Sequence, residues 1–151
     1  LVEISGSRLR LREAGVLRNR RDDPLESKLL ELHRGVTEIL TAFAPVALAV
    51  EQLYSHYERP RTAILMGHAR GVICLAAAQA GVPLHHYAAT QVKKTLTGSG
   101  RAPKAQVQLA ICREFGLAQP PEPNDVADAL AIALCHVHFG CKMARSVAAL
   151  R

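Results

Sequence analysis

No stretch of this chain approaches the roughly 20 consecutive apolar residues that a membrane-spanning helix requires. The opening Leu1-Val2-Glu3-Ile4 has neither the basic segment nor the apolar core of a secretory signal. It also lacks an initiator methionine, which either processing or a start inside a longer gene product would explain. Cysteine is sparse, at four residues, and Cys74, Cys112, Cys135 and Cys141 include no CxxC pair. That argues against a disulfide framework and for a reducing, cytoplasmic setting with no membrane partner. Cys135-His136-Val137-His138 with Cys141 lacks the knuckles and second ligand pair of a structural zinc site, so zinc is disfavoured. Internal repeats and low-complexity segments are absent as well. The 151 residues therefore read as one domain.

What is present is ordinary in bulk and basic in balance. Hydrophobic residues make up 49% and charged residues 21%, as in a soluble globular protein. Nineteen Lys and Arg against 13 Asp and Glu leave a net charge of +6. Such a surface favours polyanions, because each phosphate neutralised releases condensed counterions.

Along the chain, Leu9, Leu11 and Glu13 alternate with Arg8, Arg10 and Arg12, which predicts a pair of extended pieces around Ser5-Gly6-Ser7. Asp22-Asp23-Pro24 predicts a helix start with a carboxylate cap and proline in the first helical position. Leu29, Leu30, Leu32, Val36, Ile39 and Leu40 form its apolar stripe, and it stops before Pro45. Val46 to Val50 is apolar throughout, as expected of a strand buried on both faces. A second long helix is expected from Pro60 to Gly81, and a strand from Leu84 to Tyr87. A short helix capped by Thr90, a mobile loop at Gly98-Ser99-Gly100 and a helix from Ala105 to Phe115 follow. Pro120-Pro121-Glu122-Pro123 is a stiff connector. Asn124 or Asp125 caps a last helix reaching about His138. Strands followed by helices alternating with short strands predict an α/β domain with a mixed sheet.

Three carboxylates stand beside apolar structure. Glu51 closes the buried strand, where open α/β sheets place ligands. Asp125 and Asp128 share one face at the start of the last helix. Convergent carboxylates suit Mg²⁺, a hard cation that takes oxygen ligands, and paired ions can drive phosphodiester cleavage. Both aspartates also fit a plain role as cap and first-turn acid.

Lys93, Lys94, Arg101 and Lys104 flank the glycine loop and are candidate phosphate contacts, or simply a solvated basic edge. Tyr54 and Tyr57 follow Glu51 in a polar segment and suit either stacking on unpaired bases or packing under the loop. The arginines at 8, 10, 12, 18, 20 and 21 suit an exposed face within reach of a DNA backbone. His85 and His86 point to opposite faces of a strand and are no ligand pair.

Seven segments in one order resemble the RuvC resolvase family over nearly the whole chain. They are His33-Arg34-Gly35; Ala49-Val50-Glu51-Gln52; Gly67-His68-Ala69-Arg70-Gly71-Val72; Gln91-Val92-Lys93-Lys94; Gly98-Ser99-Gly100; Lys104-Ala105-Gln106-Val107-Gln108; and Asp125-Val126-Ala127-Asp128 with the apolar run behind it. The resemblance implies a ribonuclease H-like fold, a mixed sheet flanked by helices. It further implies a homodimer that binds four-way DNA junctions and nicks two strands of like polarity, with two Mg²⁺ ions per subunit. Glu51, Asp125 and Asp128 match three of the family's catalytic acids, and Lys93 and Lys104 match the lysines beside them. Tyr54 stands where the family often has a junction-wedging phenylalanine. Gly67, Ala69 and Gly71 match the dimer helix. A branch-migration helicase complex is the family's cellular partner.

Departures from the family pattern are specific. The family's first strand carries an aspartate in an Ile-Asp-Pro-Gly type sequence that nothing here matches, so the first strand is expected to be missing. Residues 55–60 differ from the family's lysine-bearing version, and His68 replaces a glutamine. The expected organisation is a nuclease domain over 1–140 and a tail over 141–151. The expected function is resolution of Holliday junctions by paired symmetric nicks. The alternative is a junction-binding module without catalysis.

Overall fold

In the computed structural model, residues 1–6, 8–53 and 60–148 are described, with 140–148 by backbone alone. The order of elements is β1 (Val2–Ser5), β2 (Arg8–Leu11), α1 (Leu25–Phe43), β3 (Leu48–Glu51), α2 (Pro60–Gln79), β4 (Leu84–Tyr87), α3 (Ala89–Thr97), α4 (Lys104–Phe115) and α5 (Asn124–Ala148). Among the described residues the strands form two two-stranded sheets, β1 with β2 and β3 with β4. No helix among them is long and apolar enough to cross a membrane. The chain divides into two compact units, each described in turn.

The first unit comprises Leu1–Val16, Ala49–Glu51 and Tyr87–Arg151. Its hairpin follows from the Arg/Leu alternation: β1 and β2 are antiparallel, with Val2 opposite Leu11 and Ile4 opposite Leu9. Gly6 makes the turn in the left-handed region, at φ 60°, which glycine adopts without a Cβ clash. Leu9 and Leu11 pack inward while Arg8 and Arg10 stay exposed. The core is built on α5, where Val126, Ala127, Leu130, Ala131, Leu134 and Cys135 are buried. That spacing puts a stripe on one side of a helix. Val92 of α3, Val107 and Ile111 of α4, Ala102 and Tyr87 close over it. Ile111, Leu134 and Cys135 are 0% exposed.

The second unit comprises Leu17–Leu48 and Gln52–His86 and rests on the packing of α1 against α2. Leu40, Ala76 and Ala77 are buried there, and His33 Nε2 donates to Gln79 Oε1 at 2.8 Å. Gly35 lets Leu17 approach: a Cβ there would stand 2.8 Å from its Cδ2.

Several local expectations change. The cap of α1 is Pro24 itself, extended at ψ 156°, with no side-chain hydrogen bond, so Asp22 and Asp23 do not cap it. Thr90 lies inside α3, whose cap is Ala88. β3 is half-buried and begins at Leu48, leaving Val46 91% exposed. A strand in a two-stranded sheet is covered less than one in the middle of a wide sheet, and the fully apolar run does not report that difference. Finally, α5 continues past His138 to Ala148, through the start of the expected tail.

Candidate active site

The exposed head of α5 carries the two candidate acids. Asn124, Asp125 and Asp128 are exposed, while Val126 and Ala127 between them are buried. The carboxylates therefore stand on the solvent side of a turn whose other side is core. Acids suit this position, because the first turn presents unpaired N–H groups and the positive end of the helix dipole.

Lys104 is the first residue of α4, following Pro103, which is extended at ψ 155°. A cation at that end of a helix is locally unfavourable. The compensation lies across the interface: Lys104 Nζ donates to Asp128 Oδ2 at 3.1 Å. One turn on, Gln108 Nε2 donates to Asn124 Oδ1 at 3.2 Å. Two residues before Lys104, the buried Ala102 anchors its backbone to the core.

The glycine loop is a hydrogen-bonded turn. Gly98 ends α3 in the left-handed region at φ 81°, and its N–H donates to the Lys94 carbonyl at 2.9 Å. Thr97 Oγ1 donates to the Lys93 carbonyl at 2.8 Å, and Ser99 N–H donates to Thr97 Oγ1 at 3.2 Å. Ser99 Oγ accepts from the Arg101 N–H at 3.3 Å, and the Ser99 carbonyl accepts from Ala102 at 3.2 Å. At Gly100 a Cβ would meet the Thr90 carbonyl oxygen at 3.2 Å, so the backbone there passes close to α3. Lys93 is half-buried on α3, while Lys94 and Arg101 are exposed.

Glu51 is exposed at the end of β3, in the same compact unit as both aspartates. Ala49 packs against the core formed on α5, and strand alternation puts Glu51 on the same face as Ala49. Among the described residues, no three His, Cys, Asp or Glu side chains gather closely enough to hold a metal ion. What is gathered is the aspartate pair. Mg²⁺ is commonly held by one or two carboxylates with waters and substrate phosphate, so two exposed oxygen donors on one turn fit it.

Behind the site, Tyr87 Oη and His136 Nδ1 are hydrogen-bonded at 2.8 Å, and Phe139 lies against the Tyr87 ring. Cys135 Sγ donates to Thr95 Oγ1 at 3.6 Å. Burial raises the Cys135 thiol above its ordinary value, with the Thr95 contact opposing it. Burial also raises the Tyr87 phenol, and Cys135 adds to that shift. Both residues are therefore core groups in neutral form. His86 contacts Arg70 within the second unit. Tyr54 and Tyr57 lie outside the described residues.

The family model for crossover junction endodeoxyribonuclease RuvC matches residues 1–136. The chain belongs to the RuvC family. A RuvC from Rhodopirellula baltica is 59% identical over 135 residues, covering 89% of this chain and 76% of the relative. One from Pelotomaculum thermopropionicum is 42% identical over 138 residues, covering 91% and 84%. The solved Thermus thermophilus RuvC in complex with a Holliday junction substrate has a TM-score of 0.86 at 36% identity, covering 92% of this chain and 84% of that one. A second T. thermophilus RuvC structure gives 0.85. The RuvC fold class follows: α/β, ribonuclease H-like.

Gln108 and the side chain of Asn124 meet beside the candidate acids, a contact that sequence reasoning, which quoted Gln108 only within a family segment and Asn124 only as a cap, did not foresee. The signal was there. Lys104 and Gln108 are four apart, as are Asn124 and Asp128, so each helix offers two polar groups at one-turn spacing.

Proposed function

We propose that the intact protein is a structure-selective endonuclease that cuts four-way DNA junctions by paired symmetric nicks. The observation that carries this is the 3.1 Å contact between Lys104 and Asp128, in a chain of the RuvC family. It brings an ammonium to the edge of a carboxylate pair, which is the combination phosphodiester hydrolysis needs.

Asp125 and Asp128 are the proposed cation ligands, with Glu51 as the third. Magnesium bound there would supply Lewis acidity and lower the pKa of the attacking water. The protein's own part is charge placement. Lys104 donates to a non-bridging oxygen of the scissile phosphate, offsetting negative charge where it accumulates. Lys93 supplies a second ammonium from α3, and its half-buried stem limits where that charge can go. Lys94 and Arg101 hold flanking phosphates and set register without reading sequence. Tyr54 is the proposed stacking residue at the junction. Cleavage leaves 5′-phosphate and 3′-hydroxyl ends.

A junction has two equivalent strands, so paired nicking calls for two copies. The proposed dimer surface is the exposed side of α2. Ile64, Leu65 and Leu75 are 60%, 52% and 52% exposed. Gly67 and Gly71, four apart on one face, have open space where a Cβ would be; Ala69, matched to the same family helix, is half-buried two residues from each. Several large apolar side chains exposed on one helix ordinarily find cover, and a second copy is the occupant proposed.

The test is incubation of the intact protein with a synthetic four-way junction and Mg²⁺. Two nicks in strands of like polarity are expected, with linear duplex spared. No cleavage in Mg²⁺ or Mn²⁺ would overturn the enzyme reading. The absence of a three-donor cluster among the described residues favours a junction-binding module instead. Binding that survives Glu51→Gln and Asp128→Asn, with nicking absent from the unmodified protein too, would establish that alternative.

A further inference from the structure

Two contacts join α4 to the head of α5, and they have different chemistry. Lys104 meets Asp128 at 3.1 Å, and Gln108 meets Asn124 at 3.2 Å. The higher-numbered residue on α4 meets the lower-numbered one on α5, so the helices run antiparallel and the contacts are successive rungs. Each rung lies one helical turn, about 5.4 Å, from the next.

The first rung is weak as a fastener. Its side chains are 49% and 55% exposed, and a lysine stem has many rotamers to lose. It is also expendable, since a cation or a phosphate competes for each partner. The second rung is neutral, so a cation or a phosphate competes for it far less than for charged groups. Gln108 is half-buried above Val107 and Ile111, whose place in the core fixes its backbone.

We infer that Gln108, acting through Asn124, is a positioning residue of the candidate active site. It holds α4 in register with α5, so that Lys104 stands opposite Asp128. Lys104 is then the counter-ion of Asp128 in the resting protein, and reaches for phosphate when that carboxylate is engaged elsewhere. The inference rests on the endonuclease reading for its consequence in catalysis, but the register it describes has a readout of its own.

The experiment compares the unmodified protein, Gln108→Leu, and the swap Gln108→Asn with Asn124→Gln, which keeps the combined length of the rung. Each is measured for single-turnover nicking, junction affinity, melting temperature and Mg²⁺ affinity without DNA by calorimetry. Gln108→Leu is expected to slow nicking about tenfold, the scale of a lost supporting contact, with junction affinity unchanged. Mg²⁺ binding should tighten, by about twofold to fivefold, because a displaced Lys104 no longer competes for Asp128. The swap should restore both.

Nicking at the unmodified rate overturns the inference, as does slower nicking with unchanged Mg²⁺ affinity. Parallel loss of rate, junction affinity and melting temperature, without rescue by the swap, also overturns it, since Gln108 would then be merely structural. If the unmodified protein does not nick, the endonuclease reading fails. The Mg²⁺ titration then decides the rung by itself: tightening in Gln108→Leu and reversal in the swap uphold it, and no change refutes it.

Discussion

Replacing Lys104 with methionine and Asp128 with asparagine, singly and together, measures what this ion pair contributes to folding and what it contributes to chemistry. At 3.1 Å two unit charges attract by about 1.3 kcal/mol in bulk water. Both side chains are half exposed, so solvent, salt and the ordering of two chains reduce the coupling to about 0.2–1 kcal/mol. Lys104 also faces the positive end of α4, a penalty of about 0.3–1 kcal/mol that methionine removes. Lys104→Met is therefore expected to be nearly neutral to stability. In catalysis the lysine opposes charge that develops in the transition state, where loss of one such donor costs about 2.7–4 kcal/mol. Urea denaturation and single-turnover nicking on the same four proteins separate the two quantities. Expected are a stability coupling below about 1 kcal/mol and a rate loss of about 100-fold to 1,000-fold for Lys104→Met. A stability coupling above about 2 kcal/mol, or a near-normal rate, would refute the placement of Lys104 at the reacting phosphate.

Other expectations concern the scaffold and assembly. Leu134→Ala empties a site that is 0% exposed and should destabilise the protein by about 2.7–5 kcal/mol in urea titration; a loss under about 1 kcal/mol would contradict that burial. Cys135 has its thiol pKa raised above the ordinary 9.0 by burial, so the unfolded chain loses that proton first as pH rises. Its contribution is complete below about pH 9 and lost progressively above it, and Cys135→Ala should flatten that alkaline decline in melting temperature. Chelating divalent cations should stop nicking and lower the melting midpoint only slightly, because Mg²⁺ held by two exposed carboxylates and waters binds the folded protein weakly. If the proposed dimer forms through α2, Leu65→Arg on its exposed side should shift sedimentation toward monomer; a dimer that persists would place the interface elsewhere.

Local periodicity carried much of the fold. The hairpin was legible because alternation of Arg and Leu sets inside from outside, and α4 because Val107 and Ile111 recur at one-turn spacing. Helix caps were not, because a cap depends on the ψ of one residue. Pro24 has φ fixed by its ring but is free to take ψ 156°, which makes it the cap in place of its acidic neighbours. Of the candidate site, Asp125 and Asp128 could be named from their position beside an apolar run, and Lys104 from its place flanking the glycine loop and its match to the family. That Lys104 touches Asp128, and Gln108 touches Asn124, could not, because such contacts depend on how two helices approach across 24 and 16 residues of chain.

The first turn of a helix is ordinarily its loosest part, with few neighbours and incomplete backbone bonding. In α5 that turn holds Val126 and Ala127, 5% and 1% exposed, side by side with the acids. Fraying of the acidic end would therefore pull core residues into water. The carboxylates inherit the stiffness of the interior while staying wet, and the Asp128 amide should exchange its hydrogen on the slow schedule of the innermost residues.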